Sequence, residues 1–367
     1  MTKWVLHDFH AGHGGVFGEV NGAAVVRNYG DPAAEYAALR GAAAVFDLSF
    51  RSRVCVLGTD AERFLHGQVT NDIKALHPGE GCYTALVNAK ARIESDLNVY
   101  RLADEFLLDF EPGLTAAVTQ RFDRFIIADD VRVVDAAPHY GLLSVQGPRA
   151  AQAVAALDLG VACPDREMAV ALAKHATFGD VYVANQPRVG LPGFDLFVPV
   201  AALPAMAAAL TEVVLGLGGR LAGWEALELA RIEAGVPRFG QDMDATNLAP
   251  EAGIEARAIS YTKGCYIGQE IIARLRTYGQ VAKALRGLRL AGECRSLPAR
   301  GDKLVREGKE VGYLTSAAVS PRVGGTIALA YVRRECNAVG TDLVVAGPAG
   351  NTPAVIVPLP FVSAAGV

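Results

Sequence analysis

The most informative stretch of this 367-residue sequence reads Lys263-Gly264-Cys265-Tyr266-Ile267-Gly268-Gln269-Glu270. Its two glycines permit an irregular backbone, and the good helix formers from Gln269 onward predict a helix that begins close behind the cysteine. A thiol near a helix N-terminus, two residues from a lysine, has surroundings that lower its pKa. Cys265 is therefore the best candidate for a reactive thiol; the alternative is that it is a small buried hydrophobic residue.

The cysteines as a set do not predict a disulfide framework or a metal site. Six cysteines are scattered through the chain without a C-x-x-C pair, which disfavours a zinc knuckle or a thioredoxin-type site. The N-terminus lacks the pattern of an export signal, and the most apolar stretch, residues 198–217, contains Pro204 and Glu212. We expect a cytoplasmic protein without a membrane span.

Composition limits the possible functions. A chain that is 51% hydrophobic and 20% charged is neither disordered nor fibrous. Its net charge of −4 has the wrong sign for direct nucleic-acid binding. Of its 35 basic residues, 27 are arginines, which bind carboxylates and phosphates bidentately, although a GC-rich genome produces the same bias.

Hydrophobic patterns predict a mixed α+β fold. Strands are predicted at residues 53–58, 82–88, 96–102, 105–110, 140–148, 181–184 and 194–198. Helices are predicted at residues 149–157 and 201–215, so strands and helices do not alternate strictly. After residue 281 the chain has only short strands separated by glycine and proline, which predicts a small β-barrel.

The stretch 263–270 resembles the K-G-C-Y-x-G-Q-E signature of the YgfZ family, folate-binding proteins related to the T protein (aminomethyltransferase) of the glycine cleavage system. Residues 64–73, 143–149, 231–243 and 247–252 resemble further segments of that family. The resemblance implies two intertwined ferredoxin-like α+β units around a central channel, over residues 1–280 with subdomains at roughly 1–140 and 141–280. An antiparallel β-barrel would follow over residues 281–367.

The resemblance also implies a bound tetrahydrofolate or other reduced folate. Asp195 occupies the place of a T-protein acid, and a carboxylate can accept two hydrogen bonds from the donor edge of a pterin. Arg231 is the candidate for the carboxylate tail of the folate. The alternatives are that Asp195 pairs on a strand surface and that Arg231 bridges helices. The other candidate folate-binding residues are Tyr83, Asn88 and Tyr266.

One position departs from the T-protein pattern. T proteins carry an Asp-Asp pair whose first carboxylate lies at the reacting nitrogen of the folate, and here Ser95 and Asp96 occupy the two positions. A serine hydroxyl cannot shuttle a proton near neutral pH as a carboxylate can. Asp96, or Glu94 after a shift of one residue, could fill the role.

The YgfZ-like pattern implies an accessory protein that supports iron–sulfur cluster assembly or repair and, through it, cluster-dependent enzymes that include tRNA-modifying ones. Its partners would be assembly or client proteins. Cys265 would be the functional thiol and Lys263 its electrostatic partner or an anion contact. Gln269 and Glu270 would fix the loop on the helix, or would be ordinary first-turn residues. The alternative function is a tetrahydrofolate-dependent aminomethyltransferase or demethylase, with Asp96 as a catalytic residue; whether any substrate is turned over stays open.

Overall fold

The protein is represented by a computed structural model that describes residues 4–292, 296–348 and 350–363, apart from the side chain of Tyr278. The chain forms two compact units that interleave along the sequence. Within the described residues, the first unit holds the chain up to Gln68, Asp72–Thr84 and Leu97–Glu228, and the second holds Val69–Asn71, Ala85–Asp96 and the chain from Leu229 onward.

Helices are mostly short. In chain order they are α1 His7–Gly12, α2 Pro32–Gly41, α3 Ala61–Gln68, α4 Thr115–Asp123, α5 Ala150–Ala155, α6 Leu203–Gly216, α7 Trp224–Glu233, α8 Glu255–Ala258 and α9 Gln269–Tyr278, with a 3₁₀ turn at Arg334–Cys336. Among the described residues, no helix combines the length and the apolar character needed to cross a membrane.

Strands make up most of the regular structure. In chain order they are β1 Val16–Val20, β2 Ala23–Asn28, β3 Ala44–Asp47, β4 Ser52–Leu57, β5 Gly81–Val87, β6 Ile93–Arg101, β7 Glu105–Phe110, β8 Arg132–Asp135, β9 Tyr140–Gln146, β10 Val170–His175, β11 Gly179–Asn185, β12 Gly193–Pro199, β13 Arg220–Leu221, β14 Lys283–Leu290, β15 Lys303–Arg306, β16 Lys309–Ser320, β17 Gly325–Arg333, β18 Asp342–Gly347 and β19 Gly350–Val357.

A six-stranded sheet in the first unit has the order β10-β11-β12-β9-β3-β13. Its strands pair antiparallel except for β13, which runs parallel to β3. The helix α6 turns one apolar face to the core, since Met206, Leu210 and Val214 recur at helical spacing and are buried. Both faces of β12 are buried, so a polar side chain on that strand must find its partners inside the protein.

A five-stranded sheet has the order β5-β6-β7-β4-β8. The β5–β6 hairpin is closed by a turn at Asn88, whose carbonyl accepts from Ala91 N at 2.8 Å and whose amide donates to Arg92 O at 3.0 Å. The turn and the strand ends beside it, Ala85–Asp96, belong to the second unit.

The C-terminal strands form a closed barrel of order β14-β17-β16-β15-β18-β19. Closure results from β14, which pairs with β17 on one side and β19 on the other. Alternate residues point inward and build an apolar interior that includes Leu288, Leu314 and Ile356.

The predicted α+β fold with a C-terminal antiparallel barrel is confirmed. The strand β7 has the predicted bounds, and α9 begins four residues after Cys265. The last barrel strand, β19, contains Pro353, a residue that within an apolar run argues against a strand. The boundaries proposed near residues 140 and 280 stay predictions.

Candidate functional site

A cluster of buried charged side chains lies in the first unit: Arg51, Asp109, Arg188 and Asp195, called the charged cluster below. Arg188 Nε donates to both carboxylate oxygens of Asp195, at 3.1 and 2.9 Å, and Arg188 Nη2 also bonds that carboxylate. Arg188 Nη2 reaches Asp109 Oδ2 at 2.8 Å, and Arg51 Nε reaches Asp109 Oδ1 at 2.8 Å. Two buried carboxylates are therefore held by two guanidinium groups.

The sheets place the two carboxylates of the cluster. Asp109 lies on β7, between two apolar neighbours, and Asp195 lies on β12 directly opposite Ser144 of β9. Both acids are fully buried. Arg188 lies in the connection between β11 and β12, only seven residues before Asp195, so a short loop returns its guanidinium to the carboxylate.

The two acids differ in their electrostatics. Burial opposes ionisation of Asp109, but the guanidinium groups of Arg51 and Arg188 outweigh the effect of burial and hold the pKa of Asp109 well below its usual range. Burial raises the pKa of Asp195, and Arg188 offsets this only in part. Donors that a ligand brought to Asp195 would stabilise the ionised form that burial disfavours.

A chain of amide hydrogen bonds runs from Asp109 to Gln186. An ionised carboxylate only accepts, so Asn98 Nδ2 donates to Asp109 Oδ2 at 3.0 Å. Asn98 Oδ1 then accepts from Gln186 Nε2 at 3.1 Å. This order fixes the orientation of both amides and leaves Gln186 Oε1 as an acceptor.

Gln186 Oε1 and the hydroxyl of Tyr100 are buried polar atoms that have no hydrogen-bond partner within the described part of the chain. Tyr100 is fully buried and Gln186 is 5% exposed. Burial, and then the charge of Asp195, raise the pKa of Tyr100 well above its usual value, so the hydroxyl keeps its proton. An unsatisfied buried polar atom costs about 1–3 kcal/mol, so both atoms suit a ligand that brings hydrogen bonds.

Asp195 is the one predicted site residue in the charged cluster, and neither its other members nor Gln186 is among the residues predicted from the sequence. The available signal was a charged residue within an apolar strand, as in Leu107-Leu108-Asp109-Phe110, because such a residue needs buried partners. The expectation that Asp195 contacts a pterin stays a prediction.

A second group of predicted residues lies in the second unit, in the cysteine loop, defined here as residues 260–268. Lys263 Nζ donates to the carbonyls of Val69 and Asn71, both at 2.7 Å, and lies 4.9 Å from the ring centre of Tyr266. Lys263 therefore ties the loop to the segment 69–71. A role toward Cys265 or toward an anion stays a prediction.

Gly268 packs against the β5–β6 turn. Its φ of +84° favours glycine, and a Cβ at this position would lie 2.6 Å from Asn88 O. The side chain of Asn88 completes the turn, since its Oδ1 accepts from Lys90 N at 2.9 Å and Arg92 N at 3.1 Å. The structure thus brings Asn88 and the cysteine loop together, with Asn88 shaping the backbone.

Cys265 is exposed, which does not fit the alternative of a small buried residue. Gln269 Oε1 accepts from Tyr266 N at 3.1 Å, so Gln269 fixes the loop on α9 as predicted. Glu270 is an exposed first-turn residue with a 3.6 Å ion pair to Arg274. Burial raises the pKa of Tyr266 to about 12, so this phenol stays neutral.

Ser95 and Asp96 lie on opposite faces of β6. Ser95 is fully buried and its hydroxyl donates to Asp96 O at 3.0 Å, whereas the side chain of Asp96 lies on the half-exposed face with Glu94. Ser95 is thus engaged with the backbone, and Asp96 and Glu94 stay the candidate carboxylates. The remaining candidate, Tyr83, is half-buried on β5 in the first unit.

Arg231 lies near the end of α7 and is 5% exposed. Its Nη1 bonds Asp242 Oδ2 at 2.5 Å, and its Nη2 bonds Ser316 Oγ of β16 at 2.7 Å. Asp242 Oδ1 also accepts from Ser316, at 2.7 Å. Arg231 thus joins α7 to the barrel, which resembles the bridging alternative, although the partner is a strand and not a helix. Its contact with a folate carboxylate stays a prediction.

Comparison with known proteins connects this arrangement to a family. Residues 6–263 match the GCVT N-terminal domain, and residues 283–363 match the glycine cleavage T-protein C-terminal barrel domain. The chain belongs to the glycine cleavage T-protein family. The barrel match coincides with the closed barrel from β14 to β19.

Individual T-protein relatives span nearly the whole chain. An aminomethyltransferase of Rubrobacter xylanophilus is 30% identical over 364 residues, which cover 98% of this chain and 94% of the relative. A putative chloroplastic transferase of Arabidopsis thaliana is 28% identical over 341 residues, which cover 89% of this chain and 74% of the relative. The crystal structure of glycine cleavage system aminomethyltransferase T from Bartonella henselae superposes with a TM-score of 0.87 at 24% identity, covering 98% and 97%, which shows the shared fold. The narrower YgfZ-like assignment stays a prediction.

Proposed function

We propose that this T-protein family member binds a reduced folate, tetrahydrofolate or a derivative, and transfers a one-carbon unit to it from an aminomethyl donor. The observation that carries the proposal is the buried set of acceptors in the first unit: the Asp195 carboxylate, Gln186 Oε1 and the Tyr100 hydroxyl. Relatives named aminomethyltransferase along nearly the full length support the reaction type.

The residues present fit a reduced pterin. Its edge carries several N–H donors, and Asp195 would accept two of them while Arg188 keeps its contact with Asp109. The folate would supply the two nitrogens that bond the methylene carbon, while ammonia and the carrier group of the aminomethyl donor leave as their bonds to that carbon break. Asp96 is the proposed catalytic carboxylate, since Ser95 stands where T proteins carry their first acid.

The test measures binding and turnover separately. Calorimetric titration with tetrahydrofolate should show saturable binding by the wild-type protein and weaker binding by Asp195→Asn. Formation of methylenetetrahydrofolate from an aminomethyl donor should occur with the wild type and should be abolished by Asp96→Asn. Absence of heat with any reduced folate contradicts the binding proposal, and binding without turnover contradicts the transferase proposal.

A second candidate function, an accessory protein of iron–sulfur cluster assembly or repair, is favoured by one observation: Cys265 is exposed in the cysteine loop, four residues before α9 begins. Ser95, at the place of the first T-protein acid, agrees with a function without turnover. In this function the protein binds folate without turnover and acts on assembly or client proteins. Its test is a Cys265→Ala variant in a strain lacking the protein. Failure to restore cluster-enzyme activity, with folate binding unchanged, supports it, and full rescue contradicts it.

A further inference from the structure

Gln186 presents a buried acceptor whose direction is fixed by its neighbours. Asp109 can only accept, so Asn98 must turn its NH₂ group toward it, and Gln186 must turn its own NH₂ group toward Asn98 Oδ1. The main chain of Gln186 is also held, because its carbonyl accepts from Gln146 Nε2 at 2.9 Å. If the Gln186 amide rotated by half a turn, its oxygen would face Asn98 Oδ1, and two acceptors would oppose each other. Gln186 Oε1 therefore points away from Asn98 and is available as an acceptor.

The reduced pterin of the proposed function carries more donors than one carboxylate can take. The edge of the pterin that carries the 2-amino group offers one ring N–H and the two N–H bonds of that amino group. A carboxylate accepts the ring N–H and one amino N–H side by side. The second amino N–H points away from that carboxylate and needs an acceptor of its own.

We propose that Gln186 is a specificity-determining residue that accepts the second N–H of the 2-amino group of a bound reduced pterin. The inference rests on the proposed folate binding and assigns a contact beyond Asp195. The hydrogen bonds from Gln186 to Asn98 and from Asn98 to Asp109 hold the Gln186 amide in one orientation, with Oε1 available to accept. The site therefore selects ligands that carry the amino group.

The test is a titration cycle of two proteins and two ligands. Wild type and Gln186→Met are each titrated with tetrahydrofolate and with its 2-desamino analogue under anaerobic conditions. Methionine matches the length of glutamine and carries no strong acceptor. Gln186→Met should bind tetrahydrofolate about tenfold more weakly than the wild type does, and its preference for the amino ligand should fall by about the same factor.

Gln152→Met is the matched control, since Gln152 is exposed on α5 of the same unit. It should bind both ligands as the wild type does. Thermal unfolding without ligand checks that Gln186→Met is folded. An N2-methyl derivative of tetrahydrofolate, which retains one amino N–H, tests the contact without any variant and should bind the wild type about tenfold more weakly than tetrahydrofolate.

The outcomes separate the inference from the proposed function. If the wild type binds no reduced folate, the proposed function is overturned and this inference with it. If the wild type binds tetrahydrofolate but Gln186→Met binds each of the two ligands as tightly as the wild type does, or the N2-methyl derivative binds as tightly as tetrahydrofolate, only the inference is overturned. In that case a water molecule, not the ligand, satisfies Gln186 Oε1.

Discussion

Arg188 is the residue on which the charged cluster depends most, because it bonds both buried acids at once. Arg188→Met should leave Asp195 without its guanidinium partner and lower the free energy of unfolding by about 3–5 kcal/mol. Arg188→Lys keeps the charge but loses the planar bidentate geometry, so its loss should be intermediate. Urea unfolding of the wild type, Arg188→Met and Arg188→Lys measures these differences in the free energy of unfolding.

The control for this comparison is Arg166, whose ion pair with Glu80 is on the surface, with 62% of the arginine side chain exposed. Arg166→Met should change the free energy of unfolding by no more than about 1 kcal/mol. Equal losses for Arg188→Met and Arg166→Met would show that the buried network adds nothing beyond an ordinary surface pair.

Asp109 gives the stability a defined pH dependence. Burial opposes its ionisation, yet Arg51 and Arg188 hold its pKa below the value near 3.9 of an unfolded chain, so the folded state binds fewer protons there. Its contribution is therefore complete above about pH 4 and is lost as the pH falls toward the lowered pKa. Asp195, whose pKa is raised by burial, contributes with the opposite sign.

Comparison of the wild type with Asp109→Asn separates these two contributions. The difference in free energy of unfolding between the two proteins should be largest near pH 6 and should shrink as the pH falls below about 4. Urea titrations at a series of pH values measure it. A difference that stays constant between pH 3 and pH 6 would rule out the lowered pKa of Asp109.

At the scale of elements, the contact of the cysteine loop with the β5–β6 turn depends on Gly268. Gly268→Ala adds a Cβ 2.6 Å from Asn88 O at a φ of +84°, so both the backbone and the contact are strained. Gly253→Ala is the control, because Gly253 has a φ of +75° and open space around its Cβ. Gly253→Ala should lower the free energy of unfolding by about 1–2 kcal/mol, and Gly268→Ala should lower it by about 2 kcal/mol more.

The same pair of variants reports on the position of Cys265. Displacement of the loop by Gly268→Ala should change the alkylation rate of Cys265, measured by mass spectrometry, while Gly253→Ala should leave the rate as in the wild type. Equal stabilities and equal alkylation rates in the two variants would show that the turn does not hold the loop.

Elements with a clear hydrophobic period could be predicted from the sequence, and side-chain partnerships could not. The strand β7 and the helix α6 were predicted close to their bounds, because apolar spacing reports burial directly. Asp195 is predicted as a site acid, but Asp109, the second acid that Arg188 bonds, lies on a strand far away in sequence. Contacts between distant segments depend on the sheet order, which spacing along the chain does not encode.

At the scale of the whole molecule, a bound folate should stabilise the chain. A ligand that binds only the folded state at a hundredfold excess over its Kd adds about 2.7 kcal/mol to the free energy of unfolding. Asp195→Asn should lose most of that gain. Asp244→Asn, a half-exposed acid of the second unit, should keep it. Chemical unfolding with and without tetrahydrofolate measures the gain, and its full retention in Asp195→Asn would contradict the placement of the ligand.

Because the two compact units interleave along the sequence, the order of translation decides when the second unit can be completed. Residues 69–71 and 85–96 leave the ribosome long before residue 229, yet they belong to the same unit as the barrel strands. The second unit is therefore incomplete until the C-terminal third of the chain has been translated. A nascent chain stopped at Glu228 carries the β5–β6 turn without the cysteine loop against which it packs. A fragment ending there should need a chaperone that the full-length chain does not.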